Sequence, residues 1–425
     1  MNRTLYTCLF YIALPFILLK LWLRGRKAPA YRQRWQERLG FFQSPAFDDR
    51  PLWIHAVSVG EALAIIPLVK LIQARYPQLP IVMTTMTPTG AERIIDTFGD
   101  SVTHYYCPYD APCAINRFLS KVKPRGCVVV ETELWPNMIA GCAKHDVPVL
   151  VANARLSARS AKGYARFSKM ADQMLKQITK IAAQNSVDGQ RFVDLGLPKS
   201  ALEVTGSIKF DVSAPEGSER LAVALREMWG ADRPVFIAAS THEGEESAIL
   251  NVYHKLLEGI PGLLLVIVPR HPERFDGVAE LIKQQGFKLA RRSLGQQPST
   301  KTQVYLGDTM GELMKLLAAA DIAFVGGSLI ERGGHNPLEP AVLKKAVVMG
   351  PHFFNFQIIC DSLREAGGLV VVEDETALQQ QIEKLIQAPA ERERVGELGQ
   401  AFVKENQGAL DRLYALTERV CINRN

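Results

Sequence analysis

Short apolar runs alternate with helical patterns along almost the whole chain, and this alternation restricts the fold more than any other feature. The runs are rich in β-branched residues and bounded by glycine or proline, as strands buried on both faces of a parallel sheet are. They occupy residues 52–57, 81–86, 126–131, 148–153, 180–184, 235–240, 263–269, 302–307, 321–327 and 346–350. Helical stretches between them, such as residues 61–76, complete βαβ units and predict an α/β fold with doubly wound sheets.

The alternation pauses near residues 205–220 and then resumes, which predicts two α/β domains. A chain of 425 residues can fill two cores at roughly 100–200 residues per domain. We expect two Rossmann-like domains facing a central cleft, where ligands bind at the carboxyl ends of the strands. The predicted segments are an anchor at 1–24, a first domain at 25–207, a second at 208–405 and a terminal helix at 406–425 that packs back on the first domain.

The amino-terminal segment 4–23 is apolar and carries one charge, on Lys20. About 20 helical residues at about 1.5 Å each span a bilayer core of about 30 Å. Six basic residues follow within residues 24–38 and only Arg3 precedes, so the positive-inside rule predicts a cytoplasmic chain on the inner membrane. A cleavage site is lacking, which favours a retained anchor. Pro15 leaves open whether the helix spans the bilayer or lies on it, and a soluble core helix is the alternative.

Charge is divided unevenly between the two halves of the chain. Residues 1–210 contain 27 Lys and Arg against 15 Asp and Glu, whereas residues 211–425 contain 23 against 29. The basic half predicts an anionic partner such as a membrane surface or a phosphorylated lipid. No recognised nucleic-acid motif accompanies it, so we expect no nucleic acid. The seven cysteines lack CxxC spacing, which indicates reduced thiols, and we expect neither a metal nor a cofactor.

Acidic residues follow two of the predicted strands in the first half. Glu61 comes directly after the turn at residues 58–60, where a carboxylate in a cleft can accept a proton from an attacking hydroxyl. The alternative is a first-turn glutamate that only complements the helix dipole. Glu131 and Glu133 would lie on opposite sides of an extended chain, so that one of them binds the acceptor. Their alternative is a helix start with acidic residues in its first turn.

A basic pattern follows the fourth predicted strand. Its members recur every three or four residues, which predicts one helical face. Forked guanidinium donors on that face suit the phosphates of a lipid headgroup, while a solvated basic face is the alternative. The residues are Arg155, Arg159, Lys162 and Arg166, of which Arg155 and Arg159 are the predicted acceptor-binding pair.

Glycine-rich turns follow strands in the second half and predict an anion site. Segment 326–340 is expected to open a helix near Asn336, whose backbone N–H groups would bind a nucleotide phosphate. Arg270 would pair with that phosphate, and Glu339 would accept hydrogen bonds from ribose hydroxyls. Turns without a ligand are the alternative. The predicted donor-binding residues are Ser240, Thr241, Arg270, His271, Gly327, Gly333, Gly334, Asn336 and Glu339.

These segments together resemble the Kdo (3-deoxy-D-manno-octulosonic acid) transferases of Gram-negative bacteria. The motifs are SVGE (58–61), TTMTPTG (84–90), ETELWPN (131–137), NARLS (153–157), GSIKFD (206–211), STHEGEE (240–246), VPRHPER (268–274) and GGSLIERGGHNPLE (326–339). The resemblance implies a GT-B fold with an acceptor domain followed by a donor domain. It also implies Glu61 as the catalytic base, with Arg270, His271, Gly334, Asn336 and Glu339 at the cytidylate.

The function that this resemblance implies is Kdo transfer from CMP-Kdo to lipid IVA, in lipopolysaccharide biosynthesis. The transfer would invert the anomeric centre, require no metal and add two Kdo residues in succession. One alternative is another GT-B enzyme that uses a UDP-sugar and a lipid or glycan acceptor. Another is a catalytically silent scaffold anchored in the membrane, although such a scaffold has no use for Glu61 or the glycine-rich donor motifs.

Overall fold

A computed structural model describes residues 2–423, which form two compact units. The first unit combines Met1–Asp211 with Gln407–Asn425, and the second is Val212–Asn406. Each unit has its own parallel sheet with helices on both faces, which confirms the prediction of two α/β domains.

The sheet of the first unit has seven parallel strands in the order β3-β2-β1-β4-β5-β6-β7. The order reverses direction between β1 and β4, and the crevice outside such a point is where open α/β sheets bind ligands. The strands are β1 (Leu52–His55), β2 (Ile81–Thr85), β3 (Thr103–Tyr106), β4 (Gly126–Val130), β5 (Val149–Ala154), β6 (Lys180–Ala183) and β7 (Leu202–Val204).

Capping residues start several helices of this unit directly after a strand. The side chain of each capping residue accepts a hydrogen bond from the backbone N–H of the residue three positions later in the chain. The capping residues are Ser58, Thr87, Ser157 and Asn185. The helices are α1 (Arg3–Lys27), α2 (Val59–Arg75), α3 (Pro88–Phe98), α4 (Pro112–Val122), α5 (Pro136–Lys144), α6 (Ala158–Ala165), α7 (Ser168–Leu175) and α8 (Ser186–Asp194). Short strand-to-helix turns therefore collect at the carboxyl edge of the sheet.

The second unit repeats the design with the order β10-β11-β9-β8-β12-β13-β14, so its reversal lies between β8 and β12. Its strands are β8 (Val235–Thr241), β9 (Leu264–Pro269), β10 (Leu289–Arg291), β11 (Val304–Leu306), β12 (Ile322–Val325), β13 (Ala346–Met349) and β14 (Leu369–Val371). Its helices are α9 (Ser218–Trp229), α10 (Glu245–Gly259), α11 (Phe275–Gln284), α12 (Leu313–Ala319), α13 (Leu338–Val342), α14 (Gln357–Glu365), α15 (Glu375–Gln387) and α16 (Pro389–Asn406).

All ten predicted strands are present, and the described residues contain four further strands that the pattern did not predict. These are β3, β7, β10 and β14, and each lies at the edge of its sheet. An edge strand has one partner and is buried less completely, so β3, β7 and β10 contain polar residues, whereas β14 is apolar but only three residues long.

The two chain ends both belong to the first unit. Helix α17 (Ala409–Thr417) packs on α2 through Leu413 and Leu416, which lie in the core cluster that also covers β1. At the other end, α1 continues through Pro15 without a break. Within residues 2–423, α1 is the one helix long and apolar enough to cross a membrane, with a mean hydropathy of 1.8.

Candidate active site

Glu61 lies at the reversal point of the first sheet, in the first turn of α2 after β1. Its side chain is 8% exposed. One carboxylate oxygen accepts the Val57 N–H at 2.8 Å, and the other accepts the Ser58 hydroxyl at 2.7 Å. Since Ser58 in turn caps α2, the carboxylate is held in one orientation.

Burial raises the pKa of Glu61 to about 7, and the hydrogen bonds from Ser58 and Val57 oppose this shift. Two nearby carboxylates, Glu133 and Glu131, add to the increase. A carboxyl group with this pKa exchanges its proton near neutral pH, as a general base must. The backbone at Gly60, the residue before Glu61, is uncrowded, because a Cβ placed there would meet only the Ser58 hydroxyl within 4 Å, at 3.8 Å.

Glu131 and Glu133 follow β4, the other strand at the reversal point. Glu131 has a φ of +59°, so the chain is neither extended nor helical there, and α5 begins only at Pro136. Neither of the two geometries expected from the sequence is therefore present. The Trp135 indole N–H donates to Glu133 at 3.0 Å, and the Glu131 carboxylate lies 3.7 Å from the Lys209 ammonium.

The expected basic helical face does not form as predicted. Helix α6 is only Ala158–Ala165, with Ser157 as its cap, so Arg155 precedes it and Arg166 follows it. Arg155 instead pairs through its backbone with the Thr132 hydroxyl, beside the turn at Glu131. Arg159 does lie on α6, and its side chain is exposed. The three- and four-residue spacing predicted one helix, whereas Ser157, a residue type that favours the N-cap, starts the helix after Arg155.

In the second unit, one buried carboxylate holds the loop that follows β12. Glu245 is fully buried at the start of α10. Its oxygens accept the N–H groups of Gly327 at 2.7 Å, Ser328 at 3.0 Å and Leu329 at 3.1 Å. It also accepts the His242 N–H at 3.1 Å, so the turns after β8 and β12 are joined through Glu245.

Two of the N–H groups predicted to bind phosphate near Asn336 are already paired within the loop. Gly334 donates to the Gly327 carbonyl at 2.8 Å, and His335 donates to the Gly326 carbonyl at 3.2 Å. Helix α13 begins two residues after Asn336 and has five residues, and its first N–H is bonded to the Asn336 side chain. The prediction that a helix begins near Asn336 and offers free N–H groups at its start is therefore wrong.

Gly333 and Gly334 are required for close packing of this loop. A Cβ on Gly333 would lie 2.4 Å from the Asn355 side chain, and one on Gly334 would lie 2.9 Å from Met349. Both residues also have positive φ, at +89° and +70°. Their role in the structure is to shape the turn that carries His335 and Asn336.

Cationic and imidazole side chains converge beside this loop. The His242 and His335 rings stack with centroids 5.0 Å apart and Nε2 atoms 2.7 Å apart, and His271 contacts His242 edge-on at 5.4 Å. Burial lowers the pKa of His335 to about 4, and His242, Arg270 and His271 add to the decrease. The positive charge at this cluster is that of Arg270, and the imidazole rings add nitrogen atoms that can donate hydrogen bonds.

The remaining predicted donor residues surround the same cluster. Ser240 has a φ of +57°, where the pairing of β8 with β9 shifts register, and the buried Thr241 hydroxyl donates to Glu246. The Arg270 N–H donates to the Thr241 carbonyl at 3.0 Å. Burial raises the pKa of Glu339, while Asn336 and the positive charge of Arg270 oppose the shift.

The sequence reasoning missed four residues of these two sites, although each lies in a quoted motif. They are Lys209, His242, Glu245 and His335. A signal was available for the histidines, since His242 comes two residues after a predicted strand and His335 lies in the glycine-rich segment that follows another. For Glu245, nothing in the sequence distinguished it from its neighbours Glu243 and Glu246.

Two α/β units with parallel sheets are the fold of the glycosyltransferases known as GT-B. Residues 236–402 match the family described as glycosyl transferases group 1. A UDP-GlcNAc 2-epimerase structure from Neisseria meningitidis aligns over 86% of this chain and 99% of its own, with a TM-score of 0.55 and 14% identity. At that identity the likeness concerns the fold alone.

The sequence comparisons narrow the class to one family. Residues 33–212 match the family described as 3-deoxy-D-manno-octulosonic-acid transferase. A transferase of that name from Haemophilus influenzae is 48% identical over 98% of both chains. The solved C-terminal CMP-Kdo binding domain of an Acinetobacter baumannii protein is 37% identical over 44% of this chain and 98% of its own, with a TM-score of 0.43. The chain belongs to the Kdo transferase family and is an enzyme of lipopolysaccharide biosynthesis.

Proposed function

We propose that this chain transfers Kdo from CMP-Kdo to a sugar hydroxyl of lipid IVA, twice in succession, with inversion and without a metal. The observation that carries the proposal is the place of Glu61, a buried carboxyl group at the reversal point of the first sheet, whose pKa burial raises to about 7. Such a group suits the removal of a proton from an attacking hydroxyl.

The first unit would hold the acceptor. Glu131 and Glu133 lie close enough to Glu61 to raise its pKa, and their oxygens suit the hydroxyls of a disaccharide. Arg155 lies beside the same turn, and Lys209 adds a cation next to Glu131. Guanidinium and ammonium groups are suited to the phosphates of lipid IVA.

The second unit would hold the donor. CMP-Kdo carries a phosphate and a sugar carboxylate; Arg270 offers a positive charge for them, and the imidazole rings of the three histidines offer N–H donors. Glu339 and Asn336 are placed beside Arg270 to accept and donate hydrogen bonds at a ribose. We propose Ser240, Thr241, Gly327, Gly333 and Gly334 as the backbone frame of this site.

The reaction would proceed as one displacement. Glu61 takes the proton of the acceptor hydroxyl, and that oxygen forms a bond to the anomeric carbon of Kdo. The bond from this carbon to the phosphate oxygen breaks, and its electron pair leaves with CMP. Attack opposite the leaving group inverts the configuration. Arg270 and the histidines would stabilise the departing phosphate, which is the contribution that a divalent metal would otherwise make.

The experiment that tests the function is mass spectrometry of lipid IVA incubated with the enzyme and freshly generated CMP-Kdo. We expect a product heavier by two Kdo residues, with unchanged yield in a chelator. A product without Kdo would contradict the proposal, and a single addition would revise only the number. Binding of UDP in preference to CMP would favour the alternative GT-B enzyme, and a chain that binds neither nucleotide would favour the scaffold.

The pH dependence should follow the ionisation of Glu61. Because burial raises the pKa of Glu61 to about 7, the carboxyl becomes protonated and inactive as pH falls through that value. We expect kcat/KM to fall about tenfold for each pH unit below the pKa and to level off above it. Steady-state kinetics across this range measure the effect. The residual activity of Glu61→Gln should lack this inflection, and an unchanged inflection would assign it to another group.

Arg270 should contribute most to nucleotide binding. Replacing Arg270 with glutamine removes a charged hydrogen-bond donor worth about 1.5–3 kcal/mol, so the Kd of CMP should rise roughly 10- to 100-fold. Isothermal titration calorimetry measures the change. Arg394→Gln is the matched control, since Arg394 is exposed on α16 and bound to Glu391. An unchanged Kd for Arg270→Gln would place the nucleotide elsewhere.

We also propose that the enzyme works at the cytoplasmic side of the inner membrane, attached through α1. The apolar helix is followed by Arg24, Arg26 and Lys27 in its last turn, which suits an anionic membrane surface. Attachment would concentrate the enzyme where its lipid acceptor is present. Sedimentation with membranes, lost on deletion of residues 2–24, is the expected result.

A further inference from the structure

Helix α1 presents one continuous apolar stripe to solvent. Its members recur at alternating intervals of four and three residues, so they lie along one side of the helix over its whole length. They are among the most exposed apolar residues of the described chain, with Ile12 67% and Phe16 70% exposed. The stripe consists of Leu5, Leu9, Ile12, Phe16, Leu19 and Leu23.

The opposite face of α1 lies against the first unit. The Thr7 hydroxyl donates to the Asn137 side-chain oxygen at 3.0 Å, and Asn137 is itself buried at the start of α5. One turn further along, the Tyr11 hydroxyl accepts the N–H of Cys113, in the first turn of α4, at 3.5 Å. These are contacts of the amino-terminal half of α1, the half that would be farthest from the protein in a spanning helix.

The first turn of α1 also contacts the first unit. Arg3 lines a surface cavity together with Pro136, Met170 and Gln177. Its positive charge also helps to hold down the pKa of the buried Asp110, which burial raises to about 6. A helix of 25 residues is about 37 Å long, so crossing a core of about 30 Å would carry Arg3 to the far side of the bilayer. The contacts of Arg3 and a spanning α1 exclude each other.

The carboxyl end of α1 carries aromatic and basic side chains that suit a membrane interface. The guanidinium of Arg32 lies 4.5 Å from the centre of the Trp22 ring, and that of Arg24 lies 4.3 Å from the Tyr31 ring. Gly25 permits this return of the chain, because a Cβ there would lie 2.3 Å from the Arg32 side chain. Tryptophan, tyrosine and arginine are the residues that collect at the level of lipid headgroups.

We infer that α1 lies in the plane of the membrane, with the stripe Leu5 to Leu23 inserted into the cytoplasmic leaflet and both helix ends on the cytoplasmic side. The inference rests on the proposed membrane attachment and specifies its form. An isolated in-plane helix turns a polar face to water, whereas α1 turns its second face to the protein. This explains how a helix that is apolar on both faces can lie flat.

Cysteine labelling in spheroplasts tests the inference. In a background of Cys8→Ser and Cys113→Ser, Thr4→Cys adds an exposed thiol at the start of α1. Ser200→Cys is the matched control on the exposed surface of the first unit. We expect a membrane-impermeant maleimide to modify both only after permeabilisation. Modification of Thr4→Cys in intact spheroplasts, with Ser200→Cys protected, would overturn the inference and establish a spanning helix.

Crosslinking in isolated membranes provides a second, independent measurement. In the same background, a short bifunctional thiol reagent should join Thr7→Cys to Asn137→Cys. It should not join Ile12→Cys to Asn137→Cys, because Ile12 lies on the outer stripe. Absence of the first crosslink in active enzyme would contradict the in-plane helix. Recovery of the enzyme in the soluble fraction would instead overturn the membrane attachment itself.

Discussion

Glu61→Gln is expected to lower kcat by about 10²- to 10⁴-fold, the usual contribution of a general base. Glutamine has the size of glutamate and keeps an oxygen that can accept a hydrogen bond from Val57 or Ser58. The free energy of unfolding should therefore change by only about 1 kcal/mol. Rapid-quench or steady-state assays of Kdo transfer, with thermal unfolding of the same samples, measure the two effects.

The matched control is Glu375→Gln, which alters an exposed first-turn glutamate of α15 in the second unit. It should leave kcat unchanged, because its carboxylate only complements a helix dipole. If the Glu61 carboxylate only complemented the dipole of α2, both variants would retain full activity. That result would remove the base from the proposed mechanism, whatever the change in unfolding temperature.

Glu245→Ala is expected to lower the free energy of unfolding of the second unit by about 4 kcal/mol. The substitution would leave four backbone N–H groups without their carboxylate acceptor, and each unpaired buried donor costs about 1–3 kcal/mol. Water that enters the space left by the glutamate side chain would bond to some of these N–H groups and reduce the total cost. Urea denaturation, followed by hydrogen–deuterium exchange of peptides from β8 and β12, measures the loss.

Glu243→Ala is the control for this prediction, because Glu243 is two residues away and its side chain is 83% exposed. Its ion pair with Arg274 lies at the surface, where such pairs contribute less than about 1 kcal/mol. A similar decrease in the free energy of unfolding of the two variants would show that the buried hydrogen bonds from Gly327, Ser328 and Leu329 do not stabilise the loop. Nucleotide affinity should fall in Glu245→Ala only, since that loop carries His335.

The central strands were predictable because consecutive residues in each of them are buried. Every side chain of β1, β2, β4, β8 and β12 is buried, so each appears as an apolar run. The edge strand β3 reads Thr-His-Tyr-Tyr and alternates between half-buried and buried positions. It is a strand because β2 offers it backbone partners, and that neighbour is not visible in its own residues.

The candidate sites were predictable in position but less so in chemistry. Parallel strands guarantee that Glu61 and Glu131 follow β1 and β4 at one edge of the sheet. The pKa of Glu61 depends on burial and on neighbours some 70 residues away in the chain. The three glutamates of HEGEE look alike in sequence, yet one is exposed, one binds four N–H groups and one binds Thr241 and Arg274.

The sequence by itself determined the order of the central strands and of the helices between them, the family and the motifs that follow the strands. Only the tertiary structure decided the edge strands, the pairing of the donor-loop N–H groups and the side of α1 that faces the protein. The physical reason is the range of the interactions involved. Burial along a strand or helix repeats with a local period, so it can be read from neighbouring residues. The hydrogen-bond partner of a buried charge comes from an element distant in the chain, as Gly327 does for Glu245.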